Sequence, residues 1–101
     1  MLNLFKNLFG GTNTEEIKEV IANGGVIIDV RSAGEFAGGH AKGAKNIPLD
    51  QLQSNIAKIK AFKKPIVVCC ASGMRSARAK SILANQGIEQ VYDAGGWANL
   101  R

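Results

Sequence analysis

The residues in this sequence best equipped for chemistry are Cys69 and Cys70, which close an apolar run and are followed by Ala71, Ser72, Gly73, Met74, Arg75 and Ser76. A cysteine placed where a buried strand gives way to a small-residue loop and then a helix sits in an anion site. Successive loop amides and the unsatisfied N–H groups of the helix's first turn can converge on one point there. A thiol so placed should titrate below its free value of about 8.5. As a thiolate, Cys70 could attack the outer sulfur of an anionic donor such as thiosulfate, and the resulting persulfide, itself anionic, would stay in the same ring of amides. Arg75 and the nearby Arg78 could attract the donor.

Neighbouring cysteines in an extended segment point to opposite faces, so this pair reads as two free thiols rather than a disulfide. Cys69 is expected to pack in the core, with a resolving thiol as its alternative role. The bland reading of Cys70 is a second core residue, and the loop that follows it argues against that. His40 is the single histidine; beside Gly39 it reads as a hydrogen-bonding loop residue rather than a general base. Two adjacent cysteines and one distant histidine lack the ligand spacing of a zinc site, and no metal or other cofactor is expected.

The elements that must position these residues follow from pattern. Thr12, Asn13 or Thr14 can cap a helix, with Glu15 or Glu16 completing a capping box, and that helix runs to about Ala22. Asn23, Gly24 and Gly25 end it, and residues 26–30 form a buried strand closing near Asp29. Residues 32–43 carry four glycines and read as a loop with one helical turn around Glu35 and Phe36. Residues 45–47 give a brief strand stopped by Pro48. Asp50 is expected to cap a helix that turns Leu52, Ile56, Ile59 and Phe62 toward the core. Residues 66–70 are apolar on both faces, as a central strand covered on both sides must be. A helix over 75–86, closed by Gly87, and a strand over 90–93 complete the pattern.

Strands that alternate with helices predict an α/β fold with a central, mostly parallel β-sheet flanked by helices on both faces. Ligands in such folds sit beyond the carboxyl ends of strands, where the segment from Cys70 to Arg75 falls. With 101 residues there is material for one domain, read as residues 12–101 with an N-terminal extension over 1–11. No apolar run approaches the roughly 20 residues of a membrane-spanning helix, and Asn3, Lys6 and Asn7 interrupt the first residues where a secretory signal would need an unbroken apolar core. Leu2, Phe5, Leu8 and Phe9 fall at helical spacing, so this segment could touch a membrane or a partner, or pack back on the domain. The net charge of +5 favours anions in general, yet scattered lysines without interleaved aromatics give no nucleic-acid platform. Free thiols fit the reducing cytoplasm, where the protein is expected to reside.

Several motifs now stand in order: Ile28-Asp29-Val30-Arg31 followed by Glu35-Phe36; Gly39-His40-Ala41 with residues 43–49; the Cys70 loop; and Gly95-Gly96-Trp97. Together they resemble the single-domain rhodanese family over residues 12–97. The resemblance implies a sulfurtransferase with a persulfide on Cys70, a pocket lined by the amides of residues 71–76, and Asp29 and Arg31 as supporting residues near the site. Glu35 is also read as supporting, and Arg31 is expected to pair with it. The implied partners are a small anionic sulfur donor and a thiophilic acceptor, either cyanide or a small or protein-borne thiol.

Two other readings use the same residues. Related loops in cysteine-dependent phosphatases and arsenate reductases place five residues between cysteine and arginine, whereas only Ala71, Ser72, Gly73 and Met74 stand between Cys70 and Arg75. A rhodanese-like regulatory or protein-binding module is the non-enzymatic alternative, since fold alone does not fix function.

Overall fold

Helix α1 (Thr14–Ala22) opens the part of the chain that the computed structural model describes, residues 14–101. The extension over 1–11 and the capping candidates Thr12 and Asn13 lie outside the described residues. Glu15 and Glu16 fall in the first turn of α1, where carboxylates favour the positive end of the helix. Ile17 is its fully buried anchor. A turn with Gly24 at φ 105° leads into strand β1 (Val26–Asp29). A short helix α2 (Ala33–Ala37) and strand β2 (Lys45–Asn46) come next.

The segment after Pro48 departs from the sequence expectation. Instead of one helix capped by Asp50, the chain makes two 3-10 turns, Leu49–Gln51 and Gln53–Asn55, and only then helix α3 (Ile56–Ala61). No side-chain cap is made there. The cause is local competition for one carbonyl: the Ser54 hydroxyl and the Asn55 amide both donate to the Gln51 oxygen, at 3.0 and 2.8 Å. That oxygen would otherwise serve an α-helical bond.

Strand β3 (Ile66–Cys70) is buried at every residue, helix α4 (Met74–Asn85) succeeds it, and strand β4 (Val91–Gly96) leads to a final 3-10 turn, Trp97–Leu100. All pairings are parallel, and the sheet order is β2-β1-β3-β4. One face carries Ile28, Val68 and Cys70 against Leu52, Ile59, Ala79 and Leu83 of the α3 and α4 side. The other face carries Ile27, Val67 and Cys69 against Ile17 of α1 and the partly buried Trp97 and Leu100. Alternation along β3 thus sends the two cysteines into different layers.

From β1 the chain steps to β2 on one side and later to β3 on the other, so the carboxyl ends of β1 and β3 diverge around a crevice. Strand β4 has a bulge at Ala94, where the register with β3 slips between Val68 and Cys69. Such irregularities bend a strand and redirect its continuation; here β4 reaches the loop after Cys70.

Candidate active site

Cys70 ends a strand held by parallel partners on both sides, so its backbone is fixed before the loop begins. Gly73 then takes φ 109°, ψ −16°, a left-handed conformation that costs glycine little and other residues more. That turn brings two amides onto the sulfur: Gly73 N–H donates to Cys70 Sγ at 3.0 Å and Ser76 N–H at 3.3 Å. The Ser76 hydroxyl is within reach of both the sulfur and the Gly73 carbonyl oxygen, at 3.1 Å from the latter. With one proton it serves one at a time. Cys70 itself is only 1% exposed.

Burial alone would push the Cys70 thiol up. Hydrogen bonds from the Ser76 side chain and from the amides of Ser76, Gly73 and Ser72 outweigh it, and the thiol lies below its ordinary value. Cys69 has no such ring. Burial, helped by the nearby Asp29 charge, pushes it up to about 12, so the two adjacent thiols are separated chemically by which face of β3 they occupy.

Asp29 and Arg31 form a buried frame beside this loop. Two positions apart in extended chain, they share a side, and the carboxylate of Asp29 accepts from the Arg31 amide at 3.0 Å and from Arg31 Nη2 at 2.8 Å. The same Nη2 donates to the Gly39 carbonyl at 2.7 Å, and the guanidinium lies 4.8 Å from the centre of the Trp97 ring. Asn46 Nδ2 donates to the carbonyls of both Asp29 and Arg31 at 3.0 Å. The hydrogen bonds that Arg31 donates to Asp29 push the Arg31 pKa higher still, and the pair is tied to the chain at residues 39, 46 and 97.

The expected Arg31–Glu35 pair does not form. Arg31 is committed to Asp29, and Glu35 pairs instead with Arg75. Glu35 is the third residue of α2 in a capping box with Ser32, whose amide and hydroxyl both donate to Oε1 at 3.0 Å. Arg75 adds Nη1 to Oε1 at 2.7 Å and Nη2 to Oε2 at 3.0 Å. This bidentate grip, led by the Arg75 hydrogen bond, holds the Glu35 carboxyl at about 2. The Arg75 guanidinium is thereby occupied, while its neighbour Arg78 lines the crevice with Val30 and Ser32.

His40 Nδ1 pairs with the Phe36 carbonyl at 2.8 Å, and its ring stacks on Phe36 with centroids 3.7 Å apart; both contacts fix its own loop against α2. Ala71 and Ser72 lie exposed at the start of the loop after Cys70, and Met74, at its crest, is 83% exposed. Gly96, which the sequence reading gave only as part of the Gly95-Gly96-Trp97 motif, packs against the first residue of that loop. A Cβ there would stand 2.9 Å from the Ala71 carbonyl oxygen, so only glycine lets β4 pass this close to the loop. Among the described residues, no group of His, Cys, Asp and Glu is arranged to hold a metal ion.

A family model for the rhodanese-like domain matches residues 13–100. The chain belongs to the rhodanese-like domain family. Relatives of the chain include the uncharacterized protein YqhL of Bacillus subtilis, 41% identical over 70 residues that make up 69% of this chain and 55% of that protein; the chain thus spans little more than half the length of that relative. The thiosulfate sulfurtransferase GlpE of Ectopseudomonas mendocina is 31% identical over 91% of this chain and 84% of its own. Among solved structures, a rhodanese with anions from E. coli is 36% identical, covers 74% of this chain and 89% of its own, and superposes with a TM-score of 0.69. The four-stranded parallel sheet with helices on both faces is therefore a rhodanese fold, and the relatives make this a rhodanese-like sulfurtransferase family.

Proposed function

We propose that this rhodanese moves a sulfane sulfur from an anionic donor such as thiosulfate to cyanide or a thiol through a persulfide on Cys70. The observation that carries the reading is the pair of amide hydrogen bonds on Cys70 Sγ, from Gly73 and Ser76. The Cys70 thiolate attacks the outer sulfur of thiosulfate, a Cys70–sulfur bond forms, and the bond to the sulfite group breaks with its electron pair leaving on sulfite. The terminal sulfur of the persulfide keeps its negative charge, and the positive end of α4 with its loop amides stabilises it. A nucleophilic acceptor then takes that sulfur and returns Cys70 as a thiolate.

In this reading residues 71–76 supply the cradle, Arg75 is held in place by Glu35, and Asp29 and Arg31 brace the wall beside it. Residues 12–101 act as one domain. Two free cysteines fit work in the reducing cytoplasm. A tetrahedral oxyanion cradle of the phosphatase kind is disfavoured by a loop one residue short and by an arginine already bound to Glu35.

Turnover decides between these readings. Thiosulfate and cyanide should give thiocyanate and sulfite with wild type and none with Cys70→Ala; hydrolysis of an aryl phosphate without thiocyanate would reverse the assignment, and neither activity would favour a binding module.

A further inference from the structure

Away from Cys70, at the amino ends of β3 and β4, the chain gathers positive charge. From residue 51 to residue 88 it carries seven cations and no acid, and four of the seven are Lys58, Lys60, Lys63 and Lys64. Lys60, Lys63 and Lys64 stand around a groove of about 320 Å³ whose floor is the buried Ile59 and the half-buried Ile88. Ile88 packs on the core below, so the floor is firm. A Cβ on Gly87 would lie 3.8 Å from Lys60 Nζ, so that ammonium reaches across the groove from α3 to the turn after α4. Glu89 is the single acid on the rim.

These lysines exceed what the helices ask for. Lys58 and Lys60 lie in the last turn of α3, where cations complement the carbonyl end; Lys63 and Lys64 come after it. Among the described residues none of the four lysines is in an ion pair, and neither is Glu89. Among the same residues Lys63 is also the one non-glycine with a positive φ, at 54°. A helix usually gives the position just past its end to glycine or asparagine when that position is left-handed, and a lysine holds it with some loss of stability. An unpaired cation kept in strained backbone on the wall of a groove is placed for something outside the chain.

We propose that this groove docks an acidic peptide segment of a partner protein, with carboxylates on Lys60, Lys63 and Lys64 and one aliphatic side chain on Ile88. Helices α3 and α4 both end at this pole, so it presents carbonyls rather than the N–H cradle that phosphates favour. No arginine or aromatic ring lines the groove, which removes the bidentate fork for phosphate and the stacking surface for bases. A carboxylate needs only a point charge, and the concave apolar floor takes one side chain at a time. Strand β3 runs from this pole to Cys70 at its other end. A partner docked here stays near Cys70 without covering it, which raises its effective concentration at the sulfur.

The probe is a fluorescent peptide of glutamates around one leucine, titrated by anisotropy into the full chain at low ionic strength, where screening is weak. Lys60→Glu, Lys63→Glu and Lys64→Glu, each verified as folded by thermal unfolding, should weaken binding about tenfold or more. Lys18→Glu and Lys42→Glu change the net charge equally and should leave it within about twofold. Replacing the peptide's leucine by serine should weaken binding several-fold, and the amide shifts it causes in heteronuclear spectra should cluster at residues 59–64 and 87–90. Lys63→Gly should raise the thermal midpoint while lowering affinity, because it removes the strain and the charge together. Sulfur loading of Cys70 should match wild type in every variant. The absence of saturable binding, an equal loss in Lys18→Glu, or shifts gathered elsewhere would overturn the proposal. So would tighter binding through the same lysines by a single-stranded oligonucleotide or by phosphatidylserine vesicles, which would make this a surface for another class of anion. Because loading of Cys70 is read separately, failure of the groove leaves the reading of Cys70 standing.

Discussion

The Arg75 guanidinium is gripped by the Glu35 carboxylate through hydrogen bonds of 2.7 and 3.0 Å, across 40 residues of sequence. The contact ties the first turn of α4 to the capping box of α2, and so holds the start of α4 against the segment that succeeds β1.

Replacing Glu35 by Gln should therefore slow sulfur loading of Cys70 several-fold while barely moving the thermal midpoint, because exposed ion pairs contribute little to stability. The carboxyl is depressed to about 2, below an unfolded value near 4.5. Its contribution is thus complete above the unfolded value and is lost as pH falls through the folded one. Unfolding midpoints of wild type and Glu35→Gln measured from pH 6 to pH 2 should converge toward the acid end; a gap that widens there would contradict the pairing.

Gly73 carries a left-handed φ of 109° and donates the shorter of the two amide bonds to the sulfur. Gly73→Ala should cost about 1–3 kcal/mol through backbone strain and should raise the Cys70 pKa. Denaturant melts read the first effect and the pH dependence of alkylation the second. Strain without any shift in thiol titration would mean that the turn matters for folding alone.

The two cysteines should respond to pH in opposite ways. Cys70 sits below its ordinary value and Cys69 near 12, so alkylation by iodoacetamide in folded protein should label Cys70 at neutral pH and spare Cys69. Labelling should fall as pH drops through the Cys70 value, because only the thiolate reacts. Cys69, protonated in the fold and ionised once unfolded, should lower stability as pH rises from about 9 toward 12. Peptide mapping after labelling checks the first statement and alkaline melts the second.

Gly96 has an ordinary φ of −69°, so an alanine there meets no backbone strain; it meets the Ala71 carbonyl oxygen at 2.9 Å. Gly96→Ala should displace the first residue of the loop, costing about 1–3 kcal/mol and slowing loading of Cys70 by about tenfold or more. Gly43→Ala, whose Cβ would meet nothing within 4 Å, is the control that suffers strain at φ 82° without touching the loop, and its loading rate should match wild type.

What could be read from sequence divides along physical lines. The strands were legible because residues 26–29 and 66–70 are short apolar runs bounded by turn residues, and helix α4 lies within a residue of its expected span. Strand β4 runs on to Gly96, past the expected end at residue 93, since the pairing of Gly95 and Gly96 with β3 is a tertiary effect that two glycines do not advertise. The helix expected from Asp50 broke into 3-10 turns because Ser54 and Asn55 compete for a backbone oxygen, a contest that apolar periodicity does not register. The expected Arg31–Glu35 pair fails because Asp29, two residues away on the same side of the extended chain, takes Arg31, and the fold brings Arg75 to Glu35 across 40 residues. The motif Ser32-x-x-Glu35 was a usable sign that Glu35 turns toward a helix start. For the site, residue types pointed to Cys70 and its small-residue loop; the division of labour between Arg75 and Arg78 needed the fold.

The most direct measurement is the intact mass of the protein after incubation with thiosulfate, combined with peptide mapping. Wild type should gain the mass of one sulfur atom on Cys70, lose it on adding cyanide or dithiothreitol, and show no gain in Cys70→Ala. A wild-type mass that does not change, or a sulfur atom mapped to Cys69, would contradict a persulfide held by the Gly73 and Ser76 amides.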